Sequence, residues 1–162
     1  MCGICGFTWR DDALVSRMND VLAHRGPDNE GLWHESMIGL GHRRLAILDP
    51  SPAGNQPMVS DDGRYLMVSN GEIYNYKQLR SILQKEGYSF YSGSDAEVIV
   101  NAWSCWGTQA LNRFNGMFAF AIWDKKKQRL WLARDRYGIK PLYYWDNGRE
   151  LVFASEIKAI LQ

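Results

Sequence analysis

The sequence lacks most of the features that would assign it quickly. No apolar run approaches the roughly 20 residues needed to cross a bilayer, and no charged segment followed by an apolar stretch opens the chain, so neither a membrane partner nor secretion is expected. Charge of one sign is missing as well. Nineteen Lys and Arg stand against 18 Asp and Glu, a formal net charge of +1, which offers no broad surface to a nucleic-acid backbone. The one basic run, Lys125-Lys126-Lys127, lies between apolar stretches and reads as a solvated turn. Cysteine is scarce and odd in number, three in 162 residues, which fits free thiols in a reducing cytoplasm better than a disulfide framework. There is no glycine-rich phosphate cradle for ATP, no internal repeat and no dividing linker.

What is present is enough apolar residue, 46% of the chain, for one core that needs no staples. Residues 3–9 are apolar and glycine-broken, as in a buried strand starting almost at the terminus. Asp11-Asp12 can cap a helix over residues 14–23, where Leu14, Val15, Met18, Val21 and Leu22 recur at helical spacing. Strands are expected at 31–34, 38–42, 45–48 and 64–69. A helix then runs to about Glu86 and stops at Gly87, and Ser94-Asp95-Ala96-Glu97 has the capping-box form before a helix to Trp106. Residues 117–123 and 129–133 form one hairpin, and 141–145 pairs with 151–154 across Asp146-Asn147-Gly148, ahead of a short helix near Ser155. In the first hairpin Phe118, Phe120 and Trp123 alternate as core residues. Strands, two helices, then hairpins argue for antiparallel sheets with segregated helices, an α+β layering.

The chemistry-bearing residue is Cys2. Cysteine is small enough for an initiator methionine before it to be removed, and removal puts a thiol and an α-amine on one residue. The amine, of ordinary pKa about 7.7–8.0, can accept the thiol proton, the nucleophile-and-base pair of N-terminal nucleophile hydrolases. Two plainer readings stand beside this one. Cys2 can be an ordinary buried cysteine, or half of a Cys2-x-x-Cys5 metal or redox pair, although positions 2 and 5 of a strand point to opposite faces. Asn70-Gly71 can be a simple turn, either Arg43 or Arg44 can face a pocket, and Asp95 can serve only the first turn of its helix.

Met1-Cys2-Gly3-Ile4 is followed in order by His24-Arg25-Gly26-Pro27-Asp28, Arg44-Leu45, Asn70-Gly71-Glu72-Ile73-Tyr74-Asn75, Gly93-Ser94-Asp95 and Gly116-Met117-Phe118-Ala119-Phe120-Ala121. Arg134-Asp135-Arg136, Gly138-Ile139-Lys140-Pro141-Leu142-Tyr143-Tyr144 and Ala154-Ser155-Glu156-Ile157-Lys158-Ala159 complete the series. This set resembles the glutaminase domain of class II glutamine amidotransferases, and among them the glutamine-hydrolysing asparagine synthetases.

The resemblance implies a four-layer αββα sandwich and hydrolysis of L-glutamine to glutamate and ammonia through a Cys2 thioester. It implies Asn70 and Gly71 as oxyanion donors, and a substrate pocket of Arg44, Leu45, Ala46, Ile47, Leu48, Asn70, Gly71, Glu72 and Asp95. Arg44 would hold the substrate carboxylate, Asp95 with Glu72 the ammonium, and residues 24–28 would shape a nearby loop. No metal or cofactor is implied for this reaction; ATP and Mg would belong to an ammonia-accepting synthetase domain or subunit, absent from residues 1–162. The acceptor would be the precursor of asparagine, or a sugar or sugar acid. A catalytically silent glutamine-binding module and a homodimer remain open. The domain is expected to fill residues 1–162 and to stop short of its relatives' last strands, exposing a sheet edge.

Overall fold

The computed structural model describes residues 1–162 throughout. Strand β1 (Gly3–Phe7) leads into α1 (Leu14–Asp20), whose first turn is capped by Asp11, its Oδ1 accepting from the Ala13 and Leu14 N–H groups at 3.0 and 2.8 Å. Then follow β2 (Asn29–Glu35), β3 (Ile38–Arg44), β4 (Met58–Val59), β5 (Tyr65–Ile73), α2 (Tyr76–Lys85), α3 (Asp95–Trp106), β6 (Gly116–Asp124), β7 (Arg129–Arg134), β8 (Tyr143–Asp146), β9 (Leu151–Ala154) and α4 (Ile157–Ile160). A five-stranded sheet runs β2-β3-β1-β9-β8 and a four-stranded sheet β4-β5-β6-β7. Every named pairing is antiparallel.

Period-two alternation sorts the apolar side chains into three interiors. Between the sheets lie Ile4, Ile38, Leu40, Leu66, Val68, Ala119, Ala121, Trp123 and Phe153. The opposite face of the first sheet, with Cys5, Phe7 and Val152, packs on Leu14, Val15 and Met18 of α1 and Ala159 of α4. The opposite face of the second, with Tyr65, Met67, Phe118, Phe120 and Ile122, packs on Leu79 and Leu83 of α2 and Ile99, Ala102 and Trp103 of α3. Helices, sheet, sheet and helices give the expected α+β αββα order. Trp123 faces the other sheet while Phe118 and Phe120 face the helices, so the three aromatics do not share one side.

Several expectations need correction. Helix α1 ends at Asp20, and Ala23–Arg25 form a separate tight turn. That turn sends Arg25 away from the helix path, its Nε donating to the Cys2 carbonyl at 3.0 Å and its Nη1 pairing with Glu156 at 2.8 Å. Residues 45–48 are not a strand, because the Arg44 guanidinium collects the carbonyls of Leu48, Asp49 and Ser51 and so curls the chain. Strand β5 continues through Asn70-Gly71 without turning. The two-residue β4, too short to show alternation, pairs with Leu66 and Met67. Ser94 caps α3 through the Ala96 N–H at 3.1 Å, but Glu97 does not return to it; its carboxylate takes the Tyr91 and Ser92 N–H groups at 2.9 and 2.8 Å. Strand β8 is a sheet edge whose Tyr143, Tyr144 and Trp145 are exposed. No helix is long and apolar enough to cross a membrane.

Candidate active site

One pocket is lined by residues from both sheets and from the start of α3. Cys2 enters it just ahead of β1, and Arg44, the last residue of β3, enters from the neighbouring strand. Arg44 has the parity of Ile38 and Leu40 between the sheets; Arg43 points the other way, to Asp20 at 2.7 Å and Glu30 at 2.8 Å. Asn70, Gly71 and Glu72 come from β5, Asp95 from the start of α3, and Leu45, Ile47 and Leu48 from the curled segment after β3. Ala46 is not among the lining residues: its N–H turns away to Asp28 Oδ2 at 2.8 Å. Met1, Gln56, Ser69, Met117 and Lys140 also line the pocket; Met1, Met117 and Lys140 lie within the motifs of the series, whereas no local pattern announces Gln56 or Ser69.

Each group is held by bonds readable in the fold. The Cys2 Sγ lies 3.4 Å from the Leu45 N–H and 3.7 Å from its carbonyl, with Arg25 fixing the Cys2 carbonyl behind it. Ser155 exchanges two bonds with Ile4, N–H to Oγ at 3.0 Å and N–H to carbonyl at 2.8 Å, which secures the start of β1. Residues 24–28 thus act on the pocket through Arg25 and Asp28. Gly71 sits at φ +144°, and a Cβ there would collide with the Met117 carbonyl on β6. Only glycine fits this backbone beside its partner strand. Asn70 is 1% exposed and its Nδ2 has no hydrogen-bond partner in the protein.

Arg44 departs from the expected simple grip. Nη1 donates to the Ser51 carbonyl at 2.9 Å and Asn55 Oδ1 at 2.7 Å, and Nη2 to the Leu48 carbonyl at 3.3 Å and to that of Asp49. Both terminal nitrogens are therefore engaged in folding the pocket's own wall.

Residues 1–162 match the family described as glutamine amidotransferase domain. The chain belongs to that family. This amidotransferase domain is 41% identical over 169 residues to asparagine synthetase [glutamine-hydrolyzing] 1 of Bacillus subtilis, an alignment covering 99% of the chain and 27% of the relative. It is 43% identical over 144 residues to amidase chry2 of Gibberella zeae, covering 88% of the chain and 21% of that protein. The chain thus spans about a quarter of the length of these relatives. Among solved structures it superposes on the glutamine phosphoribosylpyrophosphate amidotransferase from B. subtilis, complexed with ADP and GMP, with a TM-score of 0.82. The identity there is 23%, over 98% of this chain and 43% of that one, a likeness of fold.

Burial sets the electrostatics of this pocket. It raises the Cys2 thiol above its ordinary range, opposed by the Leu45 bond, the chain's amino terminus and Arg44. Burial likewise pushes Asp95 up to about 6, against the Ile73 N–H it accepts at 2.7 Å and with help from Glu72. Cys5 lies on the opposite face of β1, fully buried in the helix-side core, where burial drives its thiol to about 12. The amidotransferase domain therefore separates Cys2 from Cys5, which rules out a shared metal or a disulfide between them in this fold.

Proposed function

We propose that the domain hydrolyses L-glutamine to glutamate and ammonia at Cys2. Removal of Met1 frees the Cys2 α-amine, which takes the thiol proton as Sγ attacks the substrate carboxamide. The oxyanion that forms is met by the Asn70 side-chain amide and the Gly71 N–H. Ammonia departs with the proton, leaving a Cys2 thioester that water opens to glutamate. Asp95 with Glu72 takes the substrate ammonium. Arg44 supplies positive charge to the substrate carboxylate and keeps the 45–55 segment folded over it. No cofactor enters this reaction.

The observation that carries the reading is the unpartnered Nδ2 of Asn70, buried in the same pocket as the Cys2 thiol. Orphan buried donors are rare, and one beside a nucleophile suits a charge that exists only during reaction. Likeness to glutamine-hydrolysing asparagine synthetases supports delivery of the ammonia to an ATP- and Mg-dependent synthetase making asparagine, in the cytoplasm. A sugar or sugar-acid acceptor is the alternative.

Met1-free chain, verified by mass, should release glutamate and ammonia in equal amounts and carry a glutamyl mass on Cys2 when quenched in turnover. Glutamine binding with no glutamate released would leave a silent binding module instead.

A further inference from the structure

Lys140 is a buried cation to which the proposed chemistry gives no role. It is 5% exposed, lines the pocket that holds Cys2, and belongs to none of the protein's ion pairs. Lysine is almost never buried without a partner, because an ammonium gives up its hydration there. The sole hydrogen-bond partner of Nζ is the Met1 Sδ at 3.4 Å, a weak thioether acceptor. That acceptor belongs to the residue whose removal creates the reactive terminus.

The loop delivering Lys140 is fastened on both sides. Asp135 Oδ1 accepts from the Tyr137 and Ile139 N–H groups at 3.1 and 2.9 Å, and its Oδ2 from those of Lys140 and Phe118 at 3.1 and 3.2 Å. Arg134 closes the other side, Nε to the Lys140 carbonyl and Nη2 to that of Gly138, both at 2.6 Å. Gly138, at φ +62°, makes the turn between them. Phe118 pairs with Gly71, so this loop shares a ladder with the strand that bears Asn70. The Arg134-Asp135 and Gly138-Ile139-Lys140 motifs thus converge on one lysine.

We infer that Lys140 tunes the nucleophile: its ammonium, fixed in the pocket wall by the Arg134–Asp135 loop, disfavours protonation of the Cys2 α-amine and keeps the amine–thiol pair reactive near neutral pH. The inference rests on the reading of Cys2 as the nucleophile. The pair also faces Arg44 from β3, Glu72 from β5, Asp95 from α3, and Arg25, itself neutralised by Glu156. Glu72 and Asp95 oppose Lys140, and the substrate ammonium would engage both. Lys140 acts through the amine and is a positioning residue, and a like charge lining the same pocket is expected to move a titration by about one unit.

The test uses the full chain with Met1 removal verified by mass, as wild type, Lys140→Met and Lys140→Arg. Two pH profiles are recorded: kcat/KM for glutamine, and the rate of Cys2 alkylation by iodoacetamide, which needs no substrate site. In Lys140→Met the acid limb of both should move up by about one pH unit, and Lys140→Arg should restore it. An unmoved limb, even with activity reduced, overturns the inference and leaves Lys140 structural. Should Lys140→Met not fold, Lys140→Gln is read by the same criterion. Glutamine hydrolysis with an unmoved limb sinks the Lys140 role alone; wild type that hydrolyses no glutamine and alkylates at Cys2 no faster than a free thiol sinks both readings.

Discussion

At the scale of single residues, the unpaired amide of Asn70 implies a trade. Burying a donor without a partner costs about 1–3 kcal/mol, so Asn70→Ala should leave thermal stability unchanged or higher while kcat falls by about 10²–10³. Parallel melting curves and steady-state kinetics check this; a variant that loses stability and keeps its kcat would return Asn70 to a structural role. The two cysteines near the terminus divide as sharply. Cys2→Ala should abolish turnover and Cys5→Ser should retain most of it, since Cys5 faces α1 with its thiol pushed to about 12. Comparable losses in the two variants would revive a paired-thiol chemistry. Cys2 was legible in the sequence because its chemistry follows from its place in the chain. Asn70 was legible only through a motif, since an Asn-Gly pair alone suggests a turn.

At the scale of elements, strand parity decides what side-chain type cannot. Arg43 and Arg44 are chemically identical neighbours, and only the register of β3 sends Arg44 into the pocket and Arg43 to Asn19, Asp20 and Glu30 on the helix side. Arg44→Ala should raise the KM for glutamine at least about tenfold and open residues 48–55 to proteolysis, since four of its bonds fold that segment. Arg43→Ala should leave KM unchanged and show its cost in stability, since its largely buried guanidinium donates to the Asn19 carbonyl and pairs with Asp20 and Glu30. The reverse ranking would place the substrate on the other face of β3. The segment after β3 departs from the expected strand for the same reason that Arg44 matters: apolar Leu45, Ile47 and Leu48 look sheet-like, but the Arg44 guanidinium gathers groups of residues 48–55 and bends the chain. Lys140 was legible only as part of a motif, because its burial depends on a loop closed by Asp135 and Arg134.

At the scale of the whole molecule, two buried groups, one on β3 and one at the start of α3, pull the acid stability in opposite directions. His42, fully buried between the sheets, donates Nε2–H to the Ser69 carbonyl at 3.1 Å and is held neutral, burial lowering its pKa to about 4. The unfolded chain binds that proton more readily, so His42 removes stability as pH falls from about 6.5 to 4. Asp95 works the other way: raised to about 6, it binds a proton in the folded state first, and stability grows as pH falls from about 6 to 4. Each effect amounts to about 3 kcal/mol at most, so the wild type should show a nearly flat stability between pH 6 and 4. Below that, Glu156 takes over. Burial opposes its ionisation, but bonds from Arg25, His24 and Lys158 outweigh burial and carry it down to about 2, so its contribution fades only as pH falls from about 4.5 toward 2. Asp95→Asn removes one side of the balance: denaturant melts should find it more stable than wild type at pH 7, by up to about 3 kcal/mol, and losing that advantage steadily down to pH 4. The same proton should act on the substrate, because a protonated Asp95 no longer holds an ammonium, so below pH 6 wild-type kcat/KM for glutamine should fall more steeply than the rate of Cys2 alkylation, whose acid limb belongs to the amine alone. An Asp95→Asn chain whose stability curve overlays that of wild type would mean that the carboxylate is already solvated, and the acid limbs of kcat/KM and of Cys2 alkylation should then run parallel.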